Sequence, residues 1–129
     1  MMDIIKKDKN LPLKLIKDLP VLPRPYARDI YLFSTHVAGT SHAEGIDGIV
    51  RGLKEGDELR FLREPENMHD ELAIAVITKK DEKIGYVPRF DNPVFARLLD
   101  AGKLLFGKIK AMSKIGNWHK IEIDIYLRD

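Results

Sequence analysis

His119-Lys120-Ile121-Glu122-Ile123-Asp124-Ile125-Tyr126-Leu127-Arg128 is the most regular stretch of the chain. Ile121, Ile123, Ile125 and Leu127 fall on one side of an extended backbone, and Glu122, Asp124, Tyr126 and Arg128 on the other. A strict period of two means a strand with one face in a core. Just upstream, Leu104 to Met112 reads as a second strand, joined to the first by a turn over Ser113 to Asn117. Before these, Asp91 or Asn92 can cap a helix, Pro93 suits its first turn and Gly102 stops it. Val94, Phe95, Leu98 and Leu99 are the expected apolar stripe of this helix.

Four more strands are expected further upstream. Arg28 to Val37 is aromatic and β-branched. Asp57 to Arg63 follows a glycine-rich loop, Ser41 to Gly56, in which a short strand or turn is expected near Ile49. Leu72 to Thr78 is an apolar run of strand length, buried on both faces. A polar hairpin, Lys79 to Glu82, returns the chain through Lys83 to Val87. Six strands and one clear helix predict a mainly β (α+β) fold, a small six-stranded OB-like or SH3-like β-barrel with one or two helices. Residues 1–27 hold Pro12, Pro20, Pro23 and Pro25 and six Lys/Arg, and read as an arm, draped on the domain or partly disordered, ahead of a domain at 28–129. Leu11 to Leu19 can make one or two helical turns.

The length of 129 residues fits one domain. The absence of cysteine removes disulfides, thiol catalysis and cysteine-based zinc sites. No G-x-x-x-x-G-K-[ST] or G-x-G-x-x-G motif is present, so no nucleotide-hydrolysing motor is encoded. No apolar run is long enough to span a membrane. The first residues lack a signal peptide's order, and a cytoplasmic protein is expected. Net charge is only +2, but it is segregated: +3 over residues 1–40, −5 over 41–78 and +4 over 79–129. Lys103, Lys108, Lys110, Lys114 and Lys120 follow one another with no acid between them. Such a run is either a basic binding face or a solvated sheet surface.

Three segments carry a resemblance. They are His36-Val37-Ala38-Gly39, then Arg63-Glu64-Pro65-Glu66-Asn67-Met68-His69-Asp70-Glu71-Leu72-Ala73-Ile74, then Ile84-Gly85-Tyr86-Val87-Pro88-Arg89 with a helix behind it. In this order and spacing they resemble the HIRAN domain in a short stand-alone bacterial form, over roughly Arg28 to Leu127. The resemblance implies a barrel related to the OB fold that binds DNA. In larger relatives the module is fused to a Swi/Snf-type ATPase and a zinc-binding RING, and captures single-stranded DNA by its free 3′ end at damaged or stalled forks. Neither the ATPase nor the zinc site is implied here. The expected partners are single-stranded DNA or DNA ends, with other DNA-processing proteins; no membrane, cofactor, metal or catalytic residue is expected.

The candidate nucleic-acid-binding residues are Ser41, His42, His69, Asp70, Tyr86, Arg89 and Trp118. Asp70 matches the family's acid that reads the 3′ hydroxyl; a carboxylate can accept from a hydroxyl and repels a phosphate. Asn67 and Asp70 can equally serve only to cap their own turn. Arg89, beside a helix N-terminus, offers a forked donor to phosphate or an ion pair to Asp91. Tyr86 can stack on a base or pack on the helix. Trp118 occupies the region of a family aromatic that stacks on a base, or closes a barrel end. Ser41 and His42 stand where DNA-reading members carry a basic residue and a tyrosine, and His69 where an aromatic precedes the acid. These departures imply weaker binding. The pocket is expected between Asp70, Tyr86 and the Ser41-His42 loop. Two other readings remain: an acid/base or metal site built from His36, His42, His69, His119, Asp70 and Glu71, for which no ligand spacing speaks, and a protein-interaction module.

Overall fold

Six strands, all paired antiparallel, follow one another as β1 (Asp29–His36), β2 (Glu58–Arg63), β3 (Ile74–Ile77), β4 (Lys83–Tyr86), β5 (Leu104–Ile115) and β6 (Trp118–Arg128). Helix α1 (Ile46–Arg51) lies between β1 and β2, and α2 (Asn92–Asp100) between β4 and β5. This computed structural model describes residues 28–128. The arm read at residues 1–27, with its helical turns between Leu11 and Leu19, lies outside them.

The sheet runs β1-β6-β5-β2-β3-β4. Just past β1, Ala38 pairs with Tyr86 of β4 and turns the sheet into a barrel. Two backbone hydrogen bonds make that closure, Ala38 N–H to Tyr86 O at 2.7 Å and Tyr86 N–H to Ala38 O at 2.9 Å. Gly85 permits the approach: a Cβ there would overlap the Ala38 carbonyl oxygen and sit 2.6 Å from Val37 Cγ1. Gly107 makes room in the same way for the ring of Phe61.

The inward faces follow the alternation of the sequence. Ile121, Ile123 and Ile125 are fully buried, as are Ile74, Ala75 and Val76 on β3. All but Ala75, which faces the other side of β3, meet Leu59, Ile84 and Ile109 in the core, to which α2 adds Phe95 and Ala96.

Four expectations need correction. The region near Ile49 is a helix, neither strand nor turn: α1 packs Ile46, Ile49 and Val50 on the core. The β5–β6 turn is only Gly116-Asn117, because Ile115 already pairs with Trp118 and Gly116 takes the left-handed conformation at φ 62°. Val94 is not part of the buried stripe. It is 61% exposed, and α2 turns Phe95 and Ala96 inward with Leu98 and Leu99 half-buried. Neither candidate cap acts as one: Asp91 stands at the cap position, but its carboxylate accepts from Thr35 Oγ1 at 2.8 Å.

Two substitutions test this packing in urea unfolding. Ile123→Ala should cost about 2–5 kcal/mol, the price of a cavity under a fully buried side chain. Gly85→Ala should cost about 1–3 kcal/mol by forcing β4 away from Ala38. A loss below about 0.5 kcal/mol for Ile123→Ala would mean that the register of β6 is wrong.

Candidate nucleic-acid interface

Three pieces of chain converge beside the barrel closure: the turn between β2 and β3, the end of β4, and the link from β4 into α2. The turn is built by its own side chains. Asn67 Oδ1 accepts from the backbone N–H groups of His69 at 2.9 Å and Asp70 at 3.1 Å. Arg63 braces it from below, donating to the carbonyls of Ala73 (2.8 Å) and Glu71 (3.1 Å) and pairing with Asp100 of α2 at 2.9 Å. Asn67 thus caps its turn.

Asp70 does more than cap. One oxygen accepts from Leu72 N–H at 2.9 Å. The other accepts from the side-chain amide of Asn92 at 2.8 Å. Asn92 is fully buried at the start of α2, so the carboxylate is held from two elements. An ionised carboxylate offers about four lone-pair sites, so acceptor capacity remains after these two bonds. Arg89 lies beside it, Nε 3.9 Å from Asp70, while its Nη2 donates to His69 O at 3.0 Å. The Arg89–Asp91 pair weighed from sequence does not form, since Asp91 is engaged with Thr35.

Tyr86 is fixed at its hydroxyl rather than packed on α2. It donates to Glu64 Oε1 at 2.8 Å and accepts from Lys83 Nζ at 3.0 Å. Lys83 also reaches Glu64 Oε2 at 3.3 Å, so that it bridges the Tyr86 hydroxyl and the Glu64 carboxylate. Asn67 donates to the same Glu64 carboxylate at 3.0 Å. This network joins the turn to β4.

Two clefts meet at Tyr86. One, of about 310 Å³, is lined by Ala38, Asn67, His69, Asp70, Ala73, Tyr86, Val87, Arg89 and Asn92. The other, of about 770 Å³, lies between β4 and the α1 region and is lined by Gly39, His42, Glu44, Glu82, Lys83 and Tyr86 among others. The structure thus brings His69, Asp70, Tyr86 and Arg89 together and places His42 across Tyr86. The expected pocket is divided at Tyr86, with Asp70 lining one cleft and His42 the other. Ser41 is exposed and lines neither cleft. Trp118 is 38% exposed at the β5–β6 turn and also lines neither. The lysines from Lys103 to Lys120 contribute to neither cleft; Lys108 lies over the rings of Phe106 and Tyr126 on the outer sheet face.

The histidines do not gather. His42 and His69 belong to different clefts, His36 is exposed, and His119 is buried against Asp47 of α1 at 2.5 Å. Among the described residues no group of three or more His, Asp or Glu could hold a metal ion.

Glu64, Lys83 and Asn92 were not singled out from sequence. Glu64 lies inside the Arg63 to Ile74 segment and Asn92 fits a helix cap; nothing in the chain's pattern points to Lys83. The electrostatics reflect these contacts. Burial pushes the Glu64 carboxyl up, but the Asn67, Tyr86 and Lys83 hydrogen bonds outweigh it and leave it below its ordinary value. Burial likewise raises Asp70, and the Asn92 amide, the Leu72 N–H and the charges of Arg89 and Arg63 bring it below the ordinary carboxylate value.

The HIRAN domain family model matches residues 30–128. The chain therefore belongs to the HIRAN family, whose members are nucleic-acid-binding modules, generally non-catalytic. Among solved structures, a protein from Lactobacillus plantarum superposes with a TM-score of 0.72 at 26% identity, covering 78% of this chain and 95% of that one. The HIRAN domain of human HLTF superposes with a TM-score of 0.59 at 17% identity, covering 77% of this chain and 78% of that one, a likeness of fold. No curated protein matches. No helix among the described residues is long and apolar enough to cross a membrane.

The depressed Glu64 carboxyl makes an acid-side prediction. Its folded value lies below 4.5, so its contribution to stability is complete above about pH 4.5 and is lost as pH falls through the lower, folded value. Urea unfolding followed from pH 7 downward should show Glu64→Gln losing less stability in acid than the wild type. Identical acid limbs would remove Glu64 from the linkage.

Proposed function

We propose that this chain binds single-stranded DNA and reads a free 3′ end in the smaller cleft. The observation that carries the reading is Asp70: a carboxylate held from two sides, with acceptor capacity left over, in a cleft bordered by an exposed arginine and an aromatic ring. A terminal hydroxyl can donate to Asp70, Arg89 can meet the preceding phosphate, and Tyr86 or His69 can offer a ring to the terminal base. His42 extends the path beyond Tyr86. Ser41 and Trp118, which line neither cleft, act at most on a longer strand. The setting implied by the family resemblance, damaged or stalled-fork DNA met together with other DNA-processing proteins, belongs to the same proposal. So does a cytoplasmic location.

Fluorescence anisotropy with labelled strands tests it. With two to four phosphates engaged, log K against log salt should slope at about −1.4 to −2.8, and Arg89→Ala should flatten it by about 0.7. A slope near zero would remove nucleic acid from the account.

The end preference is a separate test. Exchanging the 3′ hydroxyl for a phosphate should weaken binding about tenfold, through the lost charge-assisted hydrogen bond and the repulsion from Asp70. Arg89 offsets part of that repulsion, which keeps the effect from being larger. Asp70→Asn should shrink the ratio, because an amide can donate to a phosphate. Equal affinity of the wild type for both ends would sink the 3′-end reading and leave a non-specific strand binder.

A further inference from the structure

Two exits lead from the smaller cleft, and their chemistry differs. On one side a third cleft, of about 610 Å³, shares His69, Asp70 and Arg89 with it and adds Met68, Glu71 and Pro93. Arg89 is the one Lys or Arg lining this exit, and Glu71 adds an acid. On the other side the smaller cleft meets the larger one at Tyr86. The larger cleft is continued by a further one, of about 200 Å³, with which it shares Gly48, Ile49 and Glu82. Together these two make a trench between α1 and the β3–β4 hairpin. Lys83 lines its first part, and Lys79 and Lys80 its second; all three are exposed. Acids line the trench as well, but most are held by neighbours. Asp57 accepts from Lys54 N–H at 3.0 Å, Glu58 pairs with Arg128 at 3.2 Å, and Glu82 accepts from Thr78 Oγ1 at 3.3 Å. These carboxylates are only partly exposed, so the lysines are the more accessible charges; Glu44, exposed on the α1 side, is the exception.

Gly48 is an independent observation. It lies inside α1 and lines both parts of the trench. A Cβ there would have nothing within 4 Å, and its φ is not in the left-handed region. Neither packing nor backbone geometry therefore requires glycine at this position, although glycine inside a helix is costly compared with other residues. What the missing side chain leaves is width between α1 and the hairpin.

We infer that a single strand whose 3′ end sits at Asp70 leaves over Tyr86 and runs along this trench toward the hairpin tip, its phosphates meeting Lys83 and then Lys79 and Lys80. This rests on the 3′-end reading above and gives it a polarity and a length. The other exit offers a phosphate backbone no Lys or Arg beyond Arg89. From Tyr86 back to Asp81 the chain covers about 17 Å, at about 3.4 Å per residue. About five stacked nucleotides span that distance at about 3.4 Å each, and fewer span it when the strand is stretched. With one more in the smaller cleft, the site takes at most about six nucleotides, within the range of a single OB-type barrel. Contacts of lysine to phosphate position the strand without reading its sequence.

Fluorescence anisotropy of the full chain with 5′-labelled thymidine strands of about three to ten nucleotides, each with a free 3′ hydroxyl, tests the path. Affinity should rise to about six nucleotides and then level off, because a fixed end allows one register. Lys79→Ala with Lys80→Ala should weaken the six-nucleotide strand about fivefold and flatten its salt slope by about 1.4, two phosphate contacts, while leaving the three-nucleotide strand unchanged. Gly48→Gln should likewise weaken only the longer strands, and its urea midpoint should not fall, since glutamine is the better helix former. A photoreactive 4-thiothymidine at about the fifth position from the 3′ end should crosslink to residues 79–83. Absence of all binding would overturn the 3′-end reading and the path together. A retained preference for the 3′ hydroxyl with affinities that ignore both variants, or crosslinks to Met68 or Glu71 instead, would overturn the path alone. So would affinity that climbs steadily through ten nucleotides.

Discussion

The two hydrogen bonds between Ala38 and Tyr86 hold the candidate site in place. They join the end of β1 to the last strand of the sheet and close the barrel at the point where β4 hands over to the segment leading into α2. Tyr86 is therefore a fixed partition between two clefts, and its backbone cannot move without opening the barrel. Gly85 is the condition for this closure, since any side chain there would collide with the strand it must approach. One residue without a Cβ thus links core packing to the position of Tyr86 one step along.

From that fixed point the site is assembled by contacts across sequence gaps of about twenty residues. Tyr86 reaches Glu64 over a separation of 22, Asn92 reaches Asp70 over 22, and Arg89 reaches His69 over 20. The β2–β3 turn has little core of its own. Its shape comes from Asn67 inside it, Arg63 beneath it and Glu64 tying it to β4. Loops that present recognition groups are steadied in this way by side-chain bonds to rigid elements, because their exposed backbone has no ladder to join.

The strands were legible because their signals are local. Alternation over Ile121 to Leu127 gives the buried face directly, and the apolar run from Leu72 to Thr78 gives a strand covered on both sides. Helix α1 was not legible. Gly45, Gly48 and Gly52 look like loop residues, and a glycine inside a helix costs about 1 kcal/mol relative to alanine. What overrides that propensity is distant in sequence: core contacts of Ile46, Ile49 and Val50, and Asp47 bound to His119 seventy-two residues away. Val94 was misjudged for a related reason. Four apolar residues fit the helical stripe, but the short Ala96 is what lets α2 approach the barrel, and that rotates Val94 into solvent. Of the residues that the structure gathers at the candidate site, Asp70, Tyr86 and Arg89 are named by motif order. Lys83 and Asn92 were missed because they act through partners that no local pattern names.

The charge arrangement around Tyr86 explains how a protein of net charge +2 can meet a polyanion at all. Each acid of the site has a basic neighbour, and in both pairs the base is the more exposed member. Arg89 is 76% exposed against 19% for Asp70, and Lys83 is 48% exposed against 25% for Glu64. The pairs nearly cancel when summed, yet an approaching strand meets the cations first and the carboxylates only at close range. Exposed pairs of this kind are worth little to stability and are easily rearranged, so Arg89 can turn toward a phosphate at small cost. The half-buried acids cannot follow, because Asn92, Leu72 N–H, Asn67 and Tyr86 hold them. On the proposed 3′-end reading, a layer of exposed cations over held acceptors would attract the backbone without regard to sequence and leave discrimination to the one group that can donate a hydrogen bond at the strand's end.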